Sequence, residues 1–180
     1  TTLELINVIL EGAGEKTALL SSIRKKIDVR SEPNISGNTM PGRMLIQKFL
    51  AEARDTGCEY ALIEVTSQGI LQGRHRFIDW DAAVFTHLEP EHIESHGSFE
   101  KYRQAKVDFF CYVAKHSQKP KKWFFIHSEA RDYQYFVNAV QGKGEVVLFN
   151  KKDVAQLKIK TQLRGEFNQE NIAAALAVTR

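Results

Sequence analysis

The sequence predicts an α/β protein: a three-layer, mostly parallel sheet with helices on both faces. Strand-like and helix-like segments alternate along the chain, which is the pattern of that class. The strand segments YALIEV, AAVFT, WFFI and VVLF are apolar almost throughout, as strands buried on both faces are, whereas a half-exposed strand alternates. The segments between them carry one apolar stripe at helical spacing.

The elements follow in order. Leu3, Ile6, Ile9, Leu10 and Ala13 recur on one face and predict a helix over about 2–12, ended by Gly14. Thr17–Ser22 (TALLSS) reads as a short buried strand. Residues 27–40 are polar, with Pro33, Gly37 and Asn38, and read as a long loop with room for an edge strand. Pro41 suits the first turn of a helix, with Leu45, Phe49 and Ala53 as its apolar face and Gly57 as its end. Tyr60–Val65 and Ala82–Thr86 are strands, and Ser98 caps a helix to His116. Trp123–Ile126 is a strand, 132–140 a helix and Val146–Phe149 a strand. Leu157–Leu163 (LKIKTQL) alternates like a half-exposed strand, and Gly165 turns into the last helix.

The 180 residues are 43% hydrophobic and 26% charged, enough for one domain with its own core. The net charge of +3, from 25 basic and 22 acidic residues, is too balanced for a nucleic-acid or anionic-membrane surface. No apolar run approaches the roughly 20 residues that span a bilayer. Cys58 and Cys111 show no motif spacing, which fits a reducing, cytoplasmic compartment. The chain begins and ends within helical patterns and reads as a piece of a longer protein, expected to be a monomer.

In parallel sheets ligands sit at the carboxyl ends of the strands. Past YALIEV stand Glu64, Thr66, Ser67, Gln68, Gln72 and Arg74; past AAVFT stand His87, Glu89, Glu91, His92, Glu94 and His96. Carboxylate with imidazole suits a divalent ion, although a solvated polar loop has the same composition. Lys106 lies on the 98–116 helix beside an apolar face, where lysines commonly snorkel to water. Asn168 and Asn171 open the last helix; one is explained by capping, the second is spare. Asn38-Thr39-Met40-Pro41-Gly42 is a turn into a helix whose free amides suit a phosphate or carboxylate.

Together EVTSQGILQGR (Glu64–Arg74), AAVFTHLEPEHIESHGSFEKYRQAK (Ala82–Lys106) and LRGEFNQENIAAALA (Leu163–Ala177) resemble the central ATPase domain of the Mur ligases. The similarity is nearest to the MurE type, the UDP-N-acetylmuramoyl-tripeptide synthetases. The resemblance implies a P-loop-type fold and an ATP-dependent amide ligase that adds an amino acid to UDP-N-acetylmuramoyl-peptide through an acyl-phosphate. It implies that Glu64, His92 and Lys106 hold a magnesium ion, with Lys106 carbamylated and, with His92, catalytic. It places Asn168 and Asn171 around the adenine of ATP, and Thr39, Thr66, Gln72 and Arg74 on the nucleotide-linked peptide.

Departures from the family pattern are His87 for Asn, Glu91 for Asp and Gln68 for His. The family's phosphate loop, G-x-x-G-K-T, is expected immediately before Thr1, and its flanking domains beyond both ends. The 180 residues by themselves are therefore expected not to ligate. Three other readings compete: a folylpolyglutamate synthase- or cyanophycin synthetase-like ligase, a non-catalytic module that binds a nucleotide-linked peptide, and a metal hydrolase built on His87, His92 and His96. The Thr39 turn and the Gln72/Arg74 pair speak against the first. The absence of a zinc-protease motif such as H-E-x-x-H speaks against the last.

Overall fold

The structure, a computed structural model, describes residues 1–180 apart from 36, 89–95, 156, 158, 160, 162 and 164. The described residues form two compact units, one of Leu3–Phe77 and one of Ile78–Arg180 with Thr1–Thr2.

The first unit holds α1 (Thr2–Gly12, less its first residue), β1 (Thr17–Leu20), β2 (Arg24–Ile27), β3 (Arg30–Pro33), α2 (Arg43–Asp55), β4 (Tyr60–Ile63) and α3 (Ser67–Leu71). Its strands are ordered β3-β2-β1-β4. β1 and β4 run parallel, while β1–β2 and β2–β3 are antiparallel. The stretch read as a long loop with room for an edge strand does hold one, β3 at the edge of the sheet, and the described residues of the stretch after it form no strand. The strand not expected is β2, which begins before the stretch at Arg24. Its charges hid it. Arg24 bonds Glu4 of α1 at 2.9 Å and Lys26 pairs with Glu11 of α1 at 2.5 Å. Lys25 pairs with Glu52 of α2 at 2.9 Å, and Arg30 reaches the same carboxylate at 3.1 Å. Successive strand residues point to opposite faces, so α1 and α2 cover opposite faces of this sheet and each supplies carboxylates to the cations facing it.

Helix α2 begins at Arg43 after Gly42, not at Pro41. Its buried face is Ile46, Phe49 and Ala53, while Leu45, expected among them, is exposed. Gly57 does end it: the left-handed glycine (φ 81°) lets Cys58 N–H bond the Ala53 carbonyl and its own N–H bond that of Arg54, both at 2.9 Å. That pair of bonds takes up carbonyls the helix end would otherwise leave open.

The second unit holds β5 (Ala82–Phe85), α4 (Phe99–His116), β6 (Trp123–His127), α5 (Tyr133–Val140), β7 (Glu145–Phe149), α6 (Lys152–Ala155) and α7 (Glu166–Thr179). Its sheet, β5-β6-β7, is parallel throughout. Phe124 and Ile126 point to one face and Phe125 and His127 to the other. Phe110 of α4 meets Phe124, and Phe136 of α5 stacks on Phe85 at 3.8 Å. On the other face Phe125 and Phe149 bury against Ala173 and Ala174 of α7. Small residues on α7 let its backbone come close to a sheet of phenylalanines. This unit has the three layers that the apolar strands predicted, and Ser98 caps α4 as expected, accepting from Lys101 N–H at 3.3 Å.

Of the strand expected over Leu157–Leu163, residues 158, 160 and 162 lie outside the described residues. Its described residues, Leu157, Ile159, Thr161 and Leu163, belong to no strand and are exposed. Alternation makes a strand only where a partner edge takes the backbone hydrogen bonds, and among the described residues no strand pairs with these.

Candidate functional site

In the second unit the carboxyl ends of all three parallel strands open onto a cavity of about 260 Å³. Thr86 and His87 come from the end of β5, His127 from β6 and Phe149 from β7; Phe167, Glu170 and Asn171 come from the first turns of α7. The volume lies below the roughly 300–1,000 Å³ of pockets that enclose a drug-sized ligand, so it suits a single ring system with its substituents outside. Two aromatic walls and a few convergent polar groups suit a planar heterocycle.

The polar groups are held in place. His127 is 3% exposed; its Nδ1 lies 2.9 Å from the Thr86 carbonyl, and its ring stacks on Phe149 with centroids 5.4 Å apart. The Asn171 carbonyl oxygen accepts the Thr2 hydroxyl. Asn168 is buried in the first turn of α7. Neither asparagine caps the helix: the cap is Gly165, which has no side chain to offer and a φ of 96° that favours glycine. Capping therefore explains neither asparagine, and Asn171 borders the cavity.

Lys106 of α4 lies near the same strand ends. Its Nζ sits 3.5 Å from the His87 carbonyl and 4.9 Å from the centre of the Tyr102 ring. Among the described residues no carboxylate pairs with it. His96 is buried edge-on to Tyr102, centroids 5.3 Å apart. His92, with Glu89, Glu91 and Glu94, lies outside the described residues. Among the described residues no three His, Cys, Asp or Glu side chains gather to hold a metal.

In the first unit Glu64 stands just past β4, and its Oε2 accepts the Ser22 N–H from just past β1 at 2.7 Å. That bond fixes the carboxylate between the carboxyl ends of two parallel strands. Thr66 caps α3, accepting from Gly69 N–H at 3.0 Å. Arg74 donates from its guanidinium to the Met40 carbonyl, and its own N–H bonds Gly69 O at 2.8 Å. Met40 is fully buried, and a Cβ on Gly69 would stand 2.5 Å from its sulfur; only glycine lets α3 close on it. Arg74 thereby meets Met40, which follows Thr39 in the chain, and Thr66 caps the helix whose Gly69 lies against the Met40 side chain. Gln72, the α3 C-cap, is exposed at the other end of α3 from Thr66.

His127, Thr86, Phe149 and Phe167 were not anticipated. The strand-end rule that led to Glu64 and His87 would have found His127 and Phe149 had it been carried on to the ends of β6 and β7.

The model of the Mur ligase middle domain matches residues 1–118. The chain is similar to a UDP-N-acetylmuramoyl-L-alanyl-D-glutamate–2,6-diaminopimelate ligase of Geobacillus kaustophilus, at 29% identity over 98% of the chain and 40% of that protein. It is similar to a UDP-N-acetylmuramyl-tripeptide synthetase of Treponema denticola, at 33% identity over 78% of the chain and 27% of that protein. A solved structure of a UDP-N-acetylmuramoyl-L-alanyl-D-glutamate–2,6-diaminopimelate ligase shares the fold, with a TM-score of 0.80 at 21% identity over 99% of the chain and 40% of that structure. The chain spans at most about two fifths of the length of these relatives.

Proposed function

The chain belongs to the Mur ligase family, and from that premise we propose that it is the central, ATP-binding domain of a longer ligase. That ligase joins an amino acid to UDP-N-acetylmuramoyl-peptide in cytoplasmic peptidoglycan synthesis. The observation that carries the reading is the ring-sized cavity at the carboxyl ends of β5, β6 and β7, bordered by Asn171. The names of the relatives point to the same substrate class. Among the described residues no helix is long and apolar enough to cross a membrane.

In this reading the adenine ring of ATP occupies the cavity between Phe149 and Phe167, with Asn168 and Asn171 on α7 around it. Thr39, Thr66, Gln72 and Arg74 hold the nucleotide-linked peptide, whose terminal carboxylate takes the γ-phosphoryl group. The amine of the amino acid then displaces phosphate from the acyl-phosphate, so one amide forms as ATP becomes ADP and phosphate. Glu64, His92 and Lys106 are the proposed magnesium ligands. Their chemistry fits: Glu64 has a fixed carboxylate with Oε1 to spare, and Lys106 has no anionic partner among the described residues. As an ammonium Lys106 would repel a cation; as a carbamate it offers oxygen. Bound magnesium supplies charge neutralisation between anionic reactants. The residues of this chain supply position, which for phosphoryl transfer is most of catalysis.

The test is to incubate the whole protein with ATP, magnesium, UDP-N-acetylmuramoyl-L-alanyl-D-glutamate and a panel of amino acids. The expected result is a product heavier by one amino-acid residue, with phosphate released in equal amount. No such product with any amino acid would overturn the proposal.

A further inference from the structure

The His127 ring has two nitrogens and, among the described residues, one hydrogen-bond partner. Nδ1 faces the Thr86 carbonyl at 2.9 Å. A carbonyl only accepts, so Nδ1 carries a proton, and in the neutral ring Nε2 is then an acceptor. Nε2 is buried without a hydrogen-bond partner among the described residues, in a residue only 3% exposed that borders the cavity. A buried polar atom without a partner costs stability unless something supplies one. Stacking on Phe149 with planes 10° apart holds the ring still, so its acceptor is preorganised.

We propose that His127 reads the base: its Nε2 accepts a hydrogen bond from an N–H of the heterocycle in the cavity. This rests on the adenine reading above and adds a specificity residue to it. In an adenine joined to ribose the exocyclic amine is the one N–H donor of the ring. The site therefore prefers a purine bearing that amine to one bearing hydrogen there. Asn171 and Glu170, also at the cavity, contact the ring or ribose without this requirement.

The experiment titrates the chain with adenosine and, separately, with purine riboside, which lacks the amine. Binding is followed by NMR, including the ¹⁵N signals of the His127 ring. Adenosine should bind about two- to tenfold more tightly, the range of one hydrogen bond, and should move the Nε2 signal while purine riboside does not. His127→Phe keeps a ring for Phe149; it should lower adenosine affinity to the level of purine riboside and leave the latter unchanged. The ¹⁵N readout on the unaltered chain needs no variant to fold. If adenosine shifts Thr86, Phe149 and Asn171 but Nε2 stays put, or both nucleosides bind equally, the His127 assignment falls and the adenine reading stands. If neither nucleoside perturbs the cavity, the adenine reading falls and takes the assignment with it.

Discussion

Replacing Glu11 with alanine opens a closed polar network under the first sheet. The Lys26 ammonium, its side chain 7% exposed, pairs with Glu11 at 2.5 Å and donates to the Thr17 hydroxyl at 3.2 Å. Thr17 donates to Asn7 at 2.7 Å, and the Asn7 amide donates back to Glu11 at 2.7 Å. Stranding a buried charge costs about 3–5 kcal/mol. Glu11 itself is 40% exposed, so water can partly replace it, and the expected loss is about 1–3 kcal/mol. Lys26→Met removes the charge and keeps the stem; it should change stability by less than about 1.5 kcal/mol. In that background Glu11→Ala should cost far less. The assay is urea unfolding followed by circular dichroism. With a slope of about 1–3 kcal/mol per molar urea, Glu11→Ala should lower the midpoint by about 1 M at constant slope. Acid tests the same contact. The hydrogen bond from Lys26, against the opposing effect of burial, holds the Glu11 carboxyl below its ordinary 4.5, aided by the charges of Lys26 and Arg24 and the Asn7 amide. A lowered folded-state value gives stability that is present above pH 4.5 and lost as pH falls below it, and Glu11→Gln should flatten that loss. Equal, additive effects of Glu11→Ala and Lys26→Met would refute the reasoning.

Other perturbations follow from the same structure. Gly144→Ala sets a methyl 2.7 Å from both the Lys122 carbonyl and the Phe124 ring; it should cost about 1–3 kcal/mol, and an unchanged melting temperature would contradict it. Phe136→Ala empties a fully buried site stacked on Phe85 and edge-on to Phe110; urea unfolding should show a loss of about 3–5 kcal/mol. Lys106→Ala in the whole protein should abolish ligation while adenosine binding to the chain persists, and a short carboxylate should restore part of the activity. Full activity without rescue would show that this lysine has no part in the chemistry.

Much of the layout was legible because its causes are local. The apolar run WFFI declared a buried parallel strand, whereas VVLF declared a parallel strand of which only Phe149 is buried and Val146 and Leu148 stay exposed. Gly57 and Ser98 declared helix ends. Strand β2 was not legible: Arg24, Lys25 and Lys26 become buried or half-buried only because Glu4, Glu11 and Glu52 arrive from two helices, and no local pattern announces that. Leu45 and Leu157 show the opposite failure, apolar residues in good register that nothing described covers. At the site, Glu64 stood out by its position past a strand, and Lys106 by family pattern alone. His127 did not, since a histidine ending an apolar strand reads like any satisfied core residue until its second nitrogen is found without a partner among the described residues.

The central claim is that the cavity at the ends of β5, β6 and β7 holds the adenine ring of ATP. A crystal structure of the chain grown with an adenine nucleotide tests it directly. The account predicts the ring between Phe149 and Phe167, with Asn171 at its edge and its amine at His127 Nε2. A nucleotide bound elsewhere, or a cavity that stays empty at saturating nucleotide, would contradict it.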